Sequence, residues 1–259
     1  MKAIILAGGL GTRMREETEF RPKPLVEIGG QPVIWHIMKL FDHYGVRDFV
    51  VAAGYKSKML KEYFLNYDAW TNDVSIRIGA PDGITVHRKG RSESWNVTVV
   101  DTGALTPTGG RVLRAASHLD GSEPFMVSYG DGLADINISD LLDFHSKAGA
   151  LATVSAVQPR TRFGVMDIDP DGQVNRFAEK PRLQGWINIG FFVFEHEALR
   201  FLTEDSVLEA EPLEHMAHSK QLSAYRHNGF WEPMDTYREY IQLNELWESR
   251  SAPWKVWED

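Results

Sequence analysis

The chain has 259 residues, of which 43% are hydrophobic and 25% charged, and its formal net charge is -8. This acidic balance disfavours a nucleic-acid binder, because such proteins usually present a basic surface. There is no cysteine, which excludes disulfides and thiolate chemistry. No apolar run approaches the roughly 18 residues of a membrane span, and the run at residues 2–7 is too short for a signal peptide. We therefore expect a cytoplasmic protein with no nucleic-acid or membrane partner.

The first part of the chain alternates short apolar runs with helical patterns. Residues 2–7 and 48–53 predict buried strands. Between them, apolar residues at helical spacing predict a helix over 32–44, which Gly45 ends, and another helix is expected over 56–65. This order of elements implies parallel strands with helices on both faces of the sheet.

The rest of the chain is richer in strands. Strands are predicted over 74–79, 84–88, 96–101, 124–132, 150–157 and 187–194, and an Asp-Gly turn joins two more between 164 and 181. Helices are predicted over 111–119, from a Ser139 cap to Lys147, and over 195–202, 209–219 and 236–248. With no repeat or linker, the sequence predicts one α/β domain. We expect a Rossmann-like mixed, mostly parallel sheet flanked by helices, with a small β-rich and helical C-terminal elaboration.

The first strand runs into a glycine-rich loop, LAGGLGTRM, with spaced cations behind it. The loop lacks the third glycine of GxGxxG, and the chain has no GxxxxGK[ST], so neither a dinucleotide-binding turn nor a P-loop is supported. Glycines let backbone N–H groups approach phosphate oxygens, Arg13 can fork two such oxygens, and Lys23 is a mobile point charge. These residues favour a phosphate site. The alternative is a tight strand-to-helix turn with solvated charges.

Two stretches, LAGGLGTRM and RPKPLVEIGGQPVIWHI, resemble the signature of the sugar nucleotidyltransferase (nucleotide-sugar pyrophosphorylase) family. Within that family, the strings EETEFRPKPLVEIGG, GYKSKMLKEYF and GFWEPMDTYREY are similar to cytidylyltransferases that act on glucose 1-phosphate, and the motifs occur in the family's order. The resemblance implies transfer of a cytidylyl group from CTP to α-D-glucose 1-phosphate, giving CDP-glucose and pyrophosphate. It also implies a nucleotide-binding part over residues 1–160 and a part for sugar binding and oligomerisation over 161–259.

The resemblance places the triphosphate in the glycine-rich loop. The residues it assigns to the nucleotide are Leu6, Ala7, Gly8, Gly9, Gly11, Thr12, Arg13, Lys23, Thr106, Arg111 and Gly130. Arg13, Lys23 and Asp131 are the residues expected to act in catalysis. Phosphoryl-type transfer depends on positioning and charge neutralisation, and it needs no covalent nucleophile.

Two aspartates are candidate ligands for Mg²⁺. Asp131 follows an apolar strand in YGDG, at the edge of an open α/β sheet where ligands bind, and Asp235 lies in GFWEPMDTYRE. Mg²⁺ is held by few carboxylates and completed by phosphates and water, and both residues match the family's metal ligands. From the residues alone, the alternatives are a turn aspartate at 131 and a helix cap at 235.

The resemblance also assigns the sugar phosphate. Glu179 is expected to accept hydrogen bonds from sugar hydroxyls, Lys180 to hold the phosphate and Asn188 to face the sugar. Without the family, Glu179 and Lys180 form an ordinary surface pair. Two residues depart from the family pattern, because Ile189 stands where a second glycine is usual and Glu232 where a neutral residue is expected. They keep open another nucleotide (dTTP, UTP or GTP), or another sugar phosphate or phosphonate.

Other readings are weaker. An inactive, nucleotide-sensing relative would be expected to lack Arg13, Lys23 or the two aspartates, which are all present. A glycosyltransferase is disfavoured, because the Asp-Ile-Asp at 167–169 lies beside a predicted hairpin turn and is expected to be structural. His215 and His218 have no partner ligands for zinc nearby in sequence. Trp254 and Trp257 are candidates for a subunit interface, in line with an expected homo-oligomer.

Overall fold

The computed structural model of the chain describes residues 1–80, 83–88, 93–121, 123–161 and 163–258, and for Arg15 and Glu16 it describes the backbone alone. Its strands are β1 (Lys2–Ala7), β2 (Glu27–Ile28), β3 (Gln31–Pro32), β4 (Asp48–Ala53), β5 (Asp73–Ile76), β6 (Ile84–His87), β7 (Asn96–Asp101), β8 (Phe125–Tyr129), β9 (Gly132–Ala134), β10 (Ala152–Val157), β11 (Val165–Ile168), β12 (Val174–Ala178), β13 (Ile187–Phe194), β14 (Leu222–Arg226) and β15 (Trp231–Pro233). Its α-helices are α1 (Arg15–Thr18), α2 (Val33–His43), α3 (Ser57–Leu65), α4 (Tyr67–Thr71), α5 (Thr108–Ala116), α6 (Ile138–Ala148), α7 (Glu211–His218) and α8 (Tyr237–Glu248), with 3₁₀ turns at Lys23–Leu25 and His196–Phe201.

The central sheet has the strand order β14-β10-β13-β8-β1-β4-β7. Strands β8, β1, β4 and β7 are parallel to their neighbours in that group, and β14 is parallel to β10. Strand β13 runs antiparallel to both β8 and β10. The prediction of a mixed, mostly parallel sheet is therefore confirmed. The sheet draws strands from both sides of residue 160, and the proposed division into two functional parts stays a prediction.

Each sheet face has its own apolar core, because successive side chains of a strand point to opposite faces. Ile4 of β1 and Val50 of β4 belong to one buried cluster, while Ile5 and Val51 belong to the other. Helix α2 covers the face of Ile5, and helix α5 covers the face of Ile4. The expected arrangement of helices on both faces is confirmed.

The parallel strands end together at one edge of the sheet. Leu6 of β1 pairs with Tyr129 of β8, so the glycine-rich loop after β1 and the Gly-Asp-Gly turn after β8 leave the sheet side by side. A short antiparallel pair brings a distant segment to the same place, since β15 pairs with β9 and Pro233 lies opposite Gly132. Loops at the carboxyl ends of parallel strands are the usual position of ligand sites in such folds.

Two helix starts differ from the sequence predictions. Asn137, not Ser139, caps α6, because its side-chain oxygen accepts from the Asp140 backbone N–H at 3.1 Å. Helix α5 begins at Thr108 rather than at Arg111. Its first turn contains Gly109 and Gly110, whose missing side chains let the helix pack directly on the backbone of Ser206 and Glu204. Glycines usually weaken a helix, which explains the late predicted start.

The hairpin of β11 and β12 confirms the structural interpretation of Asp-Ile-Asp. Asp169 Oδ1 accepts backbone hydrogen bonds from Asp171 and Gln173, at 3.1 and 2.8 Å, and so closes the turn. Asp167 lies on the paired strand opposite Arg176. Among the described residues, no helix is both long and apolar enough to cross a bilayer.

The tryptophans near the end of the chain are part of the core rather than an exposed interface. Trp254 is 1% exposed, its ring stacks on Phe230 and Trp247, and its Nε1 donates to His36 Nδ1 at 3.3 Å. Burial lowers the pKa of His36 to about 4. The neutral ring therefore accepts from Trp254 at Nδ1 and donates through Nε2 to the Ile28 carbonyl. The expectation that Trp254 and Trp257 face another subunit is wrong.

Replacing Trp254 with alanine is expected to lower the free energy of unfolding by about 3–5 kcal/mol, because it empties a closed aromatic cluster. Trp70→Ala is the matched control, since Trp70 is 63% exposed, and it should cost less than about 1 kcal/mol. Urea unfolding of both variants measures the difference. Equal losses of stability would contradict a core role for Trp254.

Candidate active site

The glycine-rich loop after β1 folds around a buried arginine from α5. Arg111 is 5% exposed, and its guanidinium donates to the backbone carbonyls of Gly8, at 2.9 Å, Gly103, at 2.8 Å, and Ala104, at 3.2 Å. A Cβ atom at Gly8 would collide with this guanidinium, which is the reason for glycine at that position. Gly11 has a φ of +63°, a left-handed conformation that suits glycine.

These bonds give Arg111 a bracing role that the sequence did not predict. The same guanidinium also donates to Thr102 Oγ1 at 2.7 Å and approaches the Ala53 carbonyl at 3.4 Å. Burial lowers the pKa of Arg111, and the nearby charge of Arg114 adds to that shift. The guanidinium thus ties the glycine-rich loop to the ends of β4 and β7. Its predicted contact with phosphate stays a prediction.

Lys23 lies between the two aspartates that the sequence singled out as metal ligands. Its Nζ atom is 2.5 Å from Asp131 Oδ2 and 2.6 Å from Asp235 Oδ1, and its side chain is only 12% exposed. Arg13 Nη1 donates to the other oxygen of Asp235 at 2.6 Å. Two cations and two carboxylates, from four separate segments of the chain, therefore form one cluster.

Local structure explains how these four side chains meet. Lys23 opens a 3₁₀ turn whose next residue, Pro24, is buried. The Met234 backbone N–H donates to the Asp131 carbonyl at 2.8 Å, which fastens the segment of Asp235 to the segment of Asp131. Glu239 accepts from the backbone N–H groups of Asp235 and Thr236, at 2.8 and 2.9 Å. Thr236 and Glu239 form the capping box of α8, so Thr236, rather than Asp235, is the cap of this helix.

The cluster sets the charge state of its members. Burial by itself lowers the pKa of Lys23, but the charges and hydrogen bonds of Asp131 and Asp235 together outweigh it, and the pKa is raised. Burial raises the pKa of Asp235, and the opposing contacts with Lys23 and Arg13 leave it lowered. Both groups are therefore charged at neutral pH, and the four charges balance.

The cluster forms one wall of a cavity of about 650 Å³ at the carboxyl edge of the sheet. All the residues predicted to bind nucleotide or metal line this cavity, namely Leu6, Ala7, Gly8, Gly9, Gly11, Thr12, Arg13, Lys23, Thr106, Arg111, Gly130, Asp131 and Asp235. The structure therefore brings together residues that are up to 229 positions apart, from Leu6 to Asp235. What each of them binds stays a prediction.

The three residues predicted for the sugar phosphate do not line the same cavity. Glu179 and Lys180 are exposed after β12, with 3.8 Å between Lys180 Nζ and Glu179 Oε1. Asn188 lies in β13, and its Nδ2 donates to the Tyr129 hydroxyl at 3.0 Å. Ile189 is 1% exposed and does line the cavity, while Glu232 lies in β15 opposite Leu133.

The sequence analysis missed several residues of the cavity wall. They include Leu10, Leu105, Thr108, Tyr129, Glu209 and Trp231. Tyr129 directly precedes the Gly-Asp-Gly turn, so its position at a strand end was a usable signal. Glu209 lies in a segment with no recognised motif, and only the three-dimensional contacts bring it here.

The donor set at Asp131 and Asp235 fits Mg²⁺. Both carboxylates reach one point, because each bonds to the same Lys23 nitrogen. Within the described part of the chain, no three His, Cys, Asp or Glu side chains cluster as metal ligands. Two carboxylate oxygens completed by phosphates and water are the usual coordination of Mg²⁺ at a nucleotide site.

The sequence model of the nucleotidyl transferase family matches residues 2–250. The chain belongs to this family. A glucose-1-phosphate cytidylyltransferase of Salmonella typhi is 48% identical over 260 residues, which cover 100% of both chains. A probable glucose-1-phosphate cytidylyltransferase of Bacillus subtilis is 42% identical over 99% of this chain and 100% of its own.

Solved structures share the fold at lower identity. HddC from Yersinia pseudotuberculosis superposes with a TM-score of 0.67 at 21% identity, over 95% of this chain and 99% of its own. A UDP-glucose pyrophosphorylase in complex with UDP-glucose superposes with a TM-score of 0.67 at 17% identity, over 96% of this chain and 98% of its own. The α/β fold is therefore that of known nucleotidyltransferases.

Arg111→Lys is expected to lower the free energy of unfolding by at least about 2 kcal/mol, because an ammonium cannot satisfy the carbonyls that the guanidinium now satisfies. Arg200→Lys, at an exposed position, is the matched control and should leave stability nearly unchanged. Urea unfolding provides the measurement. Unchanged stability of Arg111→Lys would contradict the bracing role and leave phosphate binding as the use of this residue.

Proposed function

We propose that the protein transfers the cytidylyl group of CTP to α-D-glucose 1-phosphate and releases CDP-glucose and pyrophosphate. The observation that carries the proposal is the cluster of Arg13, Lys23, Asp131 and Asp235 beside the glycine-rich loop. The full-length similarity to glucose-1-phosphate cytidylyltransferases supports the choice of substrates.

In this reaction, an oxygen of the sugar phosphate attacks the α-phosphorus of CTP, and the bond from that phosphorus to the β-phosphate oxygen breaks. Negative charge accumulates on the leaving pyrophosphate, so nearby cations stabilise the transition state. Arg13, with a side chain that is 75% exposed, is free to move from Asp235 towards the β and γ phosphates. Lys23, which contacts both carboxylates, is assigned to the α-phosphate.

Asp131 and Asp235 are the residues that would hold Mg²⁺. When bound, the ion would offset the charge of the triphosphate at the α-phosphate. The chain itself contributes the positions of the two carboxylates, which are fixed by the β9–β15 pair and by the Glu239 contact to the Asp235 backbone. No covalent intermediate with the protein is needed.

The sugar phosphate is assigned to Glu179, Lys180 and Asn188. Glu179 and Lys180 are exposed after β12, which is compatible with an open subsite there. The alternative is the same reaction with another nucleotide or another sugar phosphate. A homo-oligomer, a cytoplasmic location and a role in deoxysugar supply for surface polysaccharides are part of the same proposal.

A substrate panel tests the proposed reaction. CTP, dTTP, UTP and GTP are each mixed with glucose 1-phosphate and Mg²⁺, and pyrophosphate release is recorded. We expect the fastest release with CTP and formation of CDP-glucose. No release with any pairing of these nucleotides and common sugar phosphates would contradict the reaction. Release only with dTTP, UTP or GTP would agree with the proposed type of reaction but contradict CTP as the nucleotide substrate.

Asp131→Asn and Asp235→Asn are each expected to lower kcat by at least about 100-fold. Each substitution removes a carboxylate that is proposed to hold Mg²⁺ and to position Lys23, and these cations stabilise the negative charge of the transition state. Asp143→Asn, on the exposed side of α6, is the matched control and should keep full activity. Steady-state pyrophosphate release is the measurement. Near-normal turnover of either site variant would remove that aspartate from the metal assignment.

A further inference from the structure

A hydrogen-bonded network next to the proposed phosphate site is not used by the mechanism above. The Tyr129 hydroxyl donates to Glu209 Oε1 and accepts from Asn188 Nδ2 at 3.0 Å. The other carboxylate oxygen, Glu209 Oε2, accepts from the Thr108 hydroxyl at 2.7 Å. Tyr129, Thr108 and Glu209 line the cavity, and Asn188, which is not among the lining residues, bonds to the Tyr129 hydroxyl.

Backbone hydrogen bonds and a close packing contact fix the position of this network. Thr108 Oγ1 accepts from the Leu208 backbone N–H at 2.9 Å, which ties the start of α5 to the segment of Glu209. Asn188 Oδ1 accepts from the Gly190 backbone N–H at 2.8 Å. Gly190 has a φ of +83°, and a Cβ atom there would collide with the Tyr129 ring.

The network offers hydrogen-bond acceptors to the cavity. A carboxylate has about four lone-pair sites, and Tyr129 and Thr108 use one on each oxygen of Glu209. The proton of the Tyr129 hydroxyl is already donated to Glu209. A complementary ligand group therefore has to be a donor, and it has to be uncharged or positive, because phosphate oxygens are repelled by a carboxylate.

The position of the network narrows the choice of donor. The phosphate groups are attracted to Arg13 and Lys23, on the wall formed by the glycine-rich loop and Asp131. Glu209 instead joins the start of α5 to Tyr129 and, through it, to Asn188, which is assigned to the sugar. The uncharged donors in the proposed substrates are the hydroxyl groups of the ribose and of the hexose and the amino group of cytosine, and of these only the hydroxyl groups directly flank the phosphates.

We infer that Glu209, held by Tyr129 and Thr108, is a specificity-determining residue that accepts a hydrogen bond from a sugar hydroxyl of a substrate. The hydroxyl belongs either to the ribose of the nucleotide or to the hexose of the sugar phosphate. The inference deepens the proposed function and rests on it. A site built to bind a hydroxyl discriminates strongly against the analogue that lacks it, because its acceptor is then left unpaired.

The test compares each substrate with its deoxy analogue in the wild type and in Glu209→Gln. One arm pairs CTP with its 2′-deoxy and 3′-deoxy analogues, and the other pairs glucose 1-phosphate with its 2-, 3-, 4- and 6-deoxy analogues. We expect the wild type to prefer the hydroxyl-bearing substrate by at least about tenfold in kcat/KM in one arm. In Glu209→Gln this ratio should fall towards one, with the loss mainly in KM, and the other arm should be unchanged. The arm that responds identifies the hydroxyl.

Two further variants separate recognition from a structural role. Tyr129→Phe keeps the ring against Gly190 and removes the hydroxyl that orients Glu209, so it should reduce the same ratio by a smaller factor. Glu211→Gln makes the same chemical change two residues away, outside the cavity, and should leave every ratio unchanged. Thermal unfolding of all variants is measured in parallel. A Glu209 that only stabilises the start of α5 would lower the melting temperature without changing either ratio.

The outcomes distinguish this inference from the proposed function. A wild type that forms no nucleotide-sugar with CTP or any other nucleotide overturns both. An active wild type whose ratios are the same in Glu209→Gln overturns the inference and leaves the reaction standing. The same holds if Glu209→Gln keeps both ratios and instead loses the preference for CTP over UTP, because the carboxylate would then contact the cytosine amino group.

Discussion

The ion-pair contacts of Lys23 are the constraint on which the rest of the site depends. Two carboxylates at close range repel each other, and Asp131 and Asp235 remain together because one ammonium bonds to both and Arg13 bonds to Asp235 as well. The pairing joins the segment after β1, the turn after β8 and the segment before α8. These cations and carboxylates balance each other, so a bound triphosphate adds negative charge that needs a further cation. That need agrees with the proposed role of Mg²⁺.

The fold and the site are coupled through a few polar contacts at the sheet edge. Arg111 fixes the loop at Gly8, the Met234 amide fastens Asp235 to Asp131, and Glu239 holds the backbone before α8. These contacts satisfy backbone polar groups in the loops that form the cavity at the carboxyl edge of the sheet. The groups that contact substrate therefore sit on segments whose backbone is already fixed, a condition for accurate positioning in phosphoryl-type transfer.

Most strands of the sheet, its main helices and most residues of the cavity wall could be predicted from the sequence. Buried strands appear as apolar runs, and a residue at a strand end, such as Asp131, can be placed at the ligand-binding edge without coordinates. The bond from Arg111 to Gly8, the contact of Trp254 with His36 and the bonds of Glu209 to Thr108 and Tyr129 join residues more than 50 positions apart. Local patterns contain no signal for such pairs. Asn137 was missed because two neighbouring residues can cap the same helix, and only the backbone geometry decides between them.

The most direct test of the central claim is a double-mutant cycle on the two aspartates. Pyrophosphate release by Asp131→Asn, Asp235→Asn and the double variant is compared with the wild type under saturating Mg²⁺. If both carboxylates serve one site, the double variant should be slower than the worse single variant by no more than about tenfold, because the first substitution already disables their shared function. If the two losses multiply in full, the aspartates act independently and the single-site account is wrong.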